Sequence, residues 1–167
     1  MIMSKKGSES LVKIKGFSRV MIRNSDGIIA GDSGWTGPNT VTNLGKRQYL
    51  CMALGSEVGS KYVHYVSLGE GSEPAAAGTT LESECSGTDN VPLRKAVTAA
   101  SNGSTAERFT ATLGSSDSFV TATENIANIG LFDATTTDAT IFAGNTFASS
   151  SCATNQDVNV TYDITFT

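Results

Sequence analysis

Strict alternation of apolar and polar residues marks the C-terminal segment, "DVNVTYDITFT". Its apolar side chains recur at every second position and so share one face of an extended chain: Val158, Val160, Tyr162, Ile164 and Phe166. This pattern is the strongest secondary-structure signal in the chain. It predicts a strand deep in a sheet, buried on one face.

Turn residues between other extended runs predict hairpins. Asn24 to Gly27 interrupt "LVKIKGFSRVMIRNSDGIIAG", and the Asp-Gly step permits a positive φ. In "NIGLFDATTTDATIFAG" two apolar runs flank a polar turn, and "VPLRKAVTAA" and "ERFTATLG" are expected to pair across a Ser-Asn-Gly-Ser turn. A further apolar run, Tyr62 to Leu68, predicts another strand.

One segment has helical spacing instead. In "NLGKRQYLCMALGSE" Asn43 can cap a helix, Gly55 can end it, and apolar side chains recur on one face. We therefore expect a short helix from Leu44 to Leu54 that lies across an end or a face of a sheet.

Composition changes this picture little. Ser, Thr and Gly are abundant, as in chains of many short strands joined by turns, and 167 residues suit one core. The predicted fold is all-β, an antiparallel β-sandwich (jelly-roll-like) with one short helix. The predicted division is a basic N-terminal arm at residues 1–16 and a single sandwich domain at residues 17–167. The loop "SEPAAAGTTLESECSGTDN" is expected to be an insertion or an interface arm.

Charge argues against nucleic acid as a partner. The net charge is −4, whereas phosphate binding needs a positive field. The basic exception is the N-terminal group that includes Lys5, Lys6, Lys13 and Lys15, which is either a solvated strand face or a contact with an acidic neighbouring protein. No membrane span or secretory signal is recognisable, so we expect folding in a cytoplasm.

Residues that could act as catalytic groups or metal ligands are few and lie far apart in the sequence. Cys51, Cys85 and Cys152 lack the spacing of a zinc site or a disulfide framework and are expected to be buried thiols. His64 has no second histidine with which to form a metal pair and is expected to be structural. Asp133 and Asp138 flank a turn, and hydrogen bonds to turn amides account for them better than a calcium site does.

Catalysis is not expected. Glu82 and Glu84 are two residues apart, but such carboxylates are usually solvated. A thiol nucleophile made of Cys51 and His64 would lack an orienting third group. We expect no enzyme activity, no cofactor and no metal.

Several segments, in their order, resemble a group of small virion proteins of tailed bacteriophages. The segments are "TNLGKRQYLCMAL", "YVSLGEG", "AGTTLESE", "NIANIGLFDA" and "VNVTYDITF", between about Asn39 and Thr167. Each motif alone is weak, and their fixed order carries the resemblance. Such proteins look like β-sandwiches that decorate capsids or form parts of tails and fibres. The chain lacks the collagen-like, coiled-coil or repeated segments that could build a fibre shaft.

The resemblance implies a structural role in a virion that is assembled in the host bacterial cytoplasm. We expect a capsid decoration (cement) protein that bridges subunits of the major capsid protein as a homo-oligomer, with a trimer favoured. The alternative is a tail, fibre or baseplate component that binds a receptor or a glycan, for which Trp35, Tyr62 and Tyr65 are possible stacking groups. The predicted interface residues are Lys5, Lys6, Lys13, Lys15, Trp35, Glu82 and Glu84.

Overall fold

Ten β-strands and one short helix make up the part of the chain that a computed structural model describes, namely residues 13–50, 61–87 and 92–167. The strands are β1 (Ile14–Arg23), β2 (Ile29–Asp32), β3 (Thr40–Val41), β4 (Tyr65–Gly69), β5 (Lys95–Ala96), β6 (Thr98–Ser101), β7 (Ala106–Leu113), β8 (Glu124–Phe132), β9 (Ile141–Cys152) and β10 (Asp157–Phe166). The helix α1 is Asn43–Gly45.

The strands form two five-stranded antiparallel sheets. The first sheet has the order β2-β1-β10-β7-β6 and the second has the order β3-β9-β8-β4-β5. The inner faces of the two sheets supply the main core, so the predicted all-β antiparallel sandwich with one short helix is confirmed.

The C-terminal strand β10 occupies the centre of the first sheet, between β1 and β7. Four of its five predicted inward residues are buried: Val158, Val160, Tyr162 and Ile164. The fifth, Phe166, is only half-buried and packs against the margin of the core. Alternation thus predicted both the strand and its buried face.

The predicted hairpins are also present. Gly27, at φ +83°, closes the turn between β1 and β2 by donating its N–H to Asn24 O at 2.9 Å. Strands β6 and β7 pair across the turn at Gly103, and β8 pairs with β9. Strand β4 begins at Tyr65, three residues later than predicted, and the exposed Tyr62 and His64 precede it.

The second sheet is buried on both faces along β4 and the adjoining parts of β8 and β9. The loop between β4 and β5 packs over the outer face of this sheet, where Leu81 joins Phe132, Ala139 and Ile141 in a small apolar cluster. The close approach of Pro74 to Gly144 shows how tightly the loop lies on β9. This part of the loop, which was expected to be an insertion or an interface arm, therefore covers apolar surface of its own domain that would otherwise face water.

The helix begins one residue away from the predicted cap. Thr42, not Asn43, accepts the N–H of Gly45 with its hydroxyl at 2.8 Å. Helical backbone continues through Leu50, and the predicted end at Leu54 and Gly55 lies outside the described residues. Strand β1 begins at Ile14, so residues 14–16 of the predicted arm belong to the sheet.

Candidate binding surfaces

Three of the five motifs behind the resemblance, "YVSLGEG", "AGTTLESE" and "NIANIGLFDA", contact one another in the structure. A Cβ atom on Gly69 would lie 2.5 to 2.9 Å from Asn128 Oδ1 and from the carbonyls of Ser83 and Glu82. Asn128 in turn donates its amide to the carbonyls of Ser72 and Glu82, at 3.1 and 2.9 Å. Gly69 and Asn128 therefore hold the covering loop on the second sheet, which is a structural role.

A buried ion pair joins the same loop to the strand that follows it. Arg94 donates two hydrogen bonds to Glu84, at 2.7 and 2.9 Å, and the two side chains are only 2% and 8% exposed. The third guanidinium nitrogen donates to the carbonyls of Ala134 and Thr136 in the β8–β9 turn, and the group lies 3.9 Å from the centre of the Phe132 ring. Glu84, which was predicted as an interface residue, is therefore enclosed within the domain, where Arg94 takes up its carboxylate. Glu82 remains exposed and accepts hydrogen bonds from Ser72.

The acidic residues of the β8–β9 turn act locally, as predicted. Asp133 accepts the backbone N–H of Thr140 at 2.6 Å and forms an ion pair with Lys61. The hydroxyl of Thr136 and a backbone amide lower the pKa of the exposed Asp138. Within the described residues, no group of three or more His, Cys, Asp or Glu side chains is placed to hold a metal ion.

The two described cysteines are buried and free. Burial, reinforced by the nearby Glu124 carboxylate, raises the pKa of Cys85 well above its usual range and that of Cys152 to about 11. Both thiols are therefore protonated at neutral pH and are poor nucleophiles. His64 is exposed, and Cys51 lies outside the described residues.

The first candidate surface is a basic concavity at the start of β1. Lys13 and Lys15, both predicted as interface residues, meet Lys46 of the helical segment around an open hollow of about 550 Å³. Ile14, Pro38 and Asn39 complete its lining, which contains no acidic side chain. Among the described residues none of the three lysines forms an ion pair, so their charges are available to a partner.

The second candidate surface is the outer face of the first sheet. Trp35, the only tryptophan of the chain, is 48% exposed, and the Arg108 guanidinium lies 5.5 Å from its ring centre. Asp163 holds that guanidinium with two hydrogen bonds of 2.8 and 2.7 Å. The indole therefore packs against an arginine that an ion pair holds in place, and half of its surface is exposed to solvent.

An open polar concavity of about 470 Å³ lies on the same face. Its floor is a row of side chains opposite one another on neighbouring strands, Thr161, Thr110 and Thr98, followed by Asn159 and Thr112. Thr112 donates its hydroxyl to Asn159 Oδ1 at 2.8 Å. Within the described part of the chain, the hydroxyls of Thr161, Thr110 and Thr98 have no hydrogen-bond partner.

The structure separates the predicted interface residues into distinct places. Lys13 and Lys15 lie together, Trp35 lies on the sheet face and Glu82 lies on the covering loop, whereas Lys5 and Lys6 are outside the described residues. Lys46 was missed, because nothing local to "TNLGKRQ" shows that its helix starts beside β1. The threonine row was missed because it is assembled from three separate strands.

Comparison of the chain with protein-family models, with curated proteins and with solved structures finds no match. In the described residues, no helix has both the length and the apolar character that a membrane crossing requires.

Proposed function

We propose that this protein is a structural component of a bacteriophage particle, a capsid decoration protein that binds the major capsid protein on the outside of the shell. The basic concavity is the surface that makes the contact. An acidic patch formed where shell subunits meet is its expected counterpart.

Two observations support this proposal. The resemblance rests on motifs in a fixed order, and three of those motifs contact one another around Gly69 and Asn128 in the β-sandwich. Motifs with a structural role are shared by proteins that have the same architecture. They favour a structural protein that acts through a binding surface.

The basic concavity is the observation that carries the choice of partner. Three lysines with no acidic partner among the described residues cluster in a protein whose net charge is −4. Such a local positive field attracts acidic protein surfaces and orients the approach, while the negative remainder of the molecule disfavours other orientations. Ile14 and Pro38 add apolar surface that can be excluded from water on contact.

Binding of this kind stabilises a shell by mass action, because a protein that binds the assembled shell and not loose subunits favours assembly. We propose a small oligomer, with a trimer favoured, since several copies around a symmetry axis would bridge several subunits. Sedimentation equilibrium of the purified protein measures this state directly. The number of copies in a purified particle distinguishes the capsid role from the main alternative, because hundreds of copies indicate the capsid and a handful indicates a tail or fibre.

Co-sedimentation with purified shells tests the contact. Lys46→Gln removes one charge from the concavity, and Arg47→Gln removes the same charge from the next, exposed residue, which does not line it. We expect Lys46→Gln to weaken shell binding about two- to fivefold, the usual range for one exposed charge, and Arg47→Gln to leave it unchanged. A variant with Lys13, Lys15 and Lys46 all changed to Gln should bind least and should lose the salt dependence of binding. Equal binding by the triple variant and the unaltered protein would rule out this surface.

A further inference from the structure

Exposed tryptophan and unpaired hydroxyls occur together on the outer face of the first sheet. The Trp35 indole lies 5.5 Å from the Arg108 guanidinium, and Arg108 is two residues before Thr110 on β7, on the same face of the strand. Trp35 does not line the concavity itself. The ring and the threonine floor therefore lie on one face of the sheet, where an extended ligand can contact both.

Two arginines on this face are neutralised by acidic partners. Arg108 is paired with Asp163, and Arg19 is paired with Asp32. What remains open to a ligand in the concavity is mainly a set of neutral hydroxyl and amide groups, with Met21 as an apolar side chain and Arg23 as the one ionic side chain in its lining. Such groups match a ligand that offers many hydroxyls and little charge.

Sugars have this chemistry. The apolar face of a pyranose ring packs on an aromatic side chain, while its hydroxyls exchange hydrogen bonds with Ser, Thr and Asn side chains. From the Trp35 indole and the row of unpaired threonine hydroxyls on the same face, we infer that the outer face of the first sheet binds an oligosaccharide. A volume of about 470 Å³ is in the range of small-molecule sites and accommodates one or two hexose units.

The polar concavity and the basic concavity lie at opposite ends of β1. Lys15 lies at the start of β1 and Arg23 at its end, eight residues or about 26 Å apart. Trp35 lies nearer the basic end, because Asp163, which holds Arg108 beside it, pairs with Phe17, two residues from Lys15. The inference does not rest on the proposed capsid contact, and the sugar titration and the shell-binding assay use different variants, so each can fail without the other.

Trp35 makes the test direct, because it is the only tryptophan and its fluorescence reports on its own surroundings. We would titrate the full-length protein with a panel of neutral tetrasaccharides (maltose-, cellulose- and chitin-type) and acidic ones (galacturonate- and alginate-type). At least one should change the emission in a saturable manner in the micromolar to millimolar range. No change with any of them up to millimolar concentration would overturn the inference.

Two matched variants then locate the binding. Thr161→Val removes a floor hydroxyl, and Thr165→Val removes a hydroxyl from the same face of the same strand outside the concavity. We expect Thr161→Val to weaken binding about three- to tenfold, as for one lost hydrogen bond, and Thr165→Val to have no effect. Isothermal titration with Trp35→Ala and with Tyr62→Ala, an exposed aromatic that lines a different cavity, should show loss only for Trp35→Ala. Equal affinity of the two threonine variants, or loss with Tyr62→Ala alone, would overturn the inference.

Discussion

Breaking the buried ion pair between Arg94 and Glu84 by removing one partner should destabilise the domain strongly. We consider Arg94→Met, which keeps an unbranched apolar stem against the Phe132 ring while removing the charge and the hydrogen bonds. The change leaves the Glu84 carboxylate 8% exposed and without its cation. It also leaves the carbonyl of Ala134 without its donor and removes one of the two donors to the carbonyl of Thr136.

The expected magnitude follows from burial. Removing one partner of a buried pair costs about 3–5 kcal/mol, mostly because the other charge stays in a poorly solvated place. Total stabilities are about 5–15 kcal/mol, so the loss would be a third or more of a typical value. At about 2–4 °C per kcal/mol for a chain of this length, the midpoint temperature should fall by roughly 6–20 °C.

Arg108→Met is the matched control. Arg108 makes the same two-pronged contact with Asp163, but its side chain is 38% exposed. Exposed pairs contribute about 0–1 kcal/mol, so the free energy of unfolding should change little.

Urea unfolding followed by far-UV circular dichroism measures both variants, with equal m-values as the check that the same transition is compared. The double variant Glu84→Leu/Arg94→Met should be less destabilised than Arg94→Met alone, because no unpaired charge remains. If Arg94→Met costs no more than Arg108→Met, the pair does not stabilise the fold as argued.

Two further perturbations test local features. Gly71→Ala should lower the free energy of unfolding by about 1–3 kcal/mol, because the added Cβ would lie 2.5 to 2.7 Å from the Glu82 side chain and carbonyl. In the same urea assay Gly87→Ala should change the free energy of unfolding little, because the nearest neighbour of its added Cβ lies at 3.5 Å. The pKa of Asp32 is lowered from 3.8 to about 2, first by hydrogen bonding to Arg19 and then by the Gly34 amide. A carboxyl whose pKa is lowered in the folded state stabilises the fold at pH values above its unfolded-state pKa, and this stabilisation is lost as the pH falls through its folded-state pKa. Asp32→Asn should therefore lower the midpoint temperature slightly at pH 6 and not at about pH 2. An Asp32 pKa near 3.8 in a carboxyl NMR titration would contradict this assignment.

The amino-acid sequence by itself determined the strands and their turns where the signal is local. Alternation from Val158 to Ile164 specified both the strand and its buried face, and Asp26-Gly27 specified the turn that follows β1. These features depend on the two-residue period of a strand and on the backbone freedom of glycine, both of which operate within a few residues.

Only the tertiary structure decided which surfaces are covered and which side chains meet. Local pattern did not show that the loop around Leu81 would bury the outer face of the second sheet, or that Glu84 would be enclosed by Arg94. Nor did it place Lys46 beside Lys15, since 31 positions separate them in the sequence. Such contacts form only when the two sheets pack over a shared core, because the free energy gained by burying apolar surface then outweighs the entropic cost of bringing distant segments together. The candidate surfaces of this protein arise at that level, which explains why the fold was easier to predict than the sites.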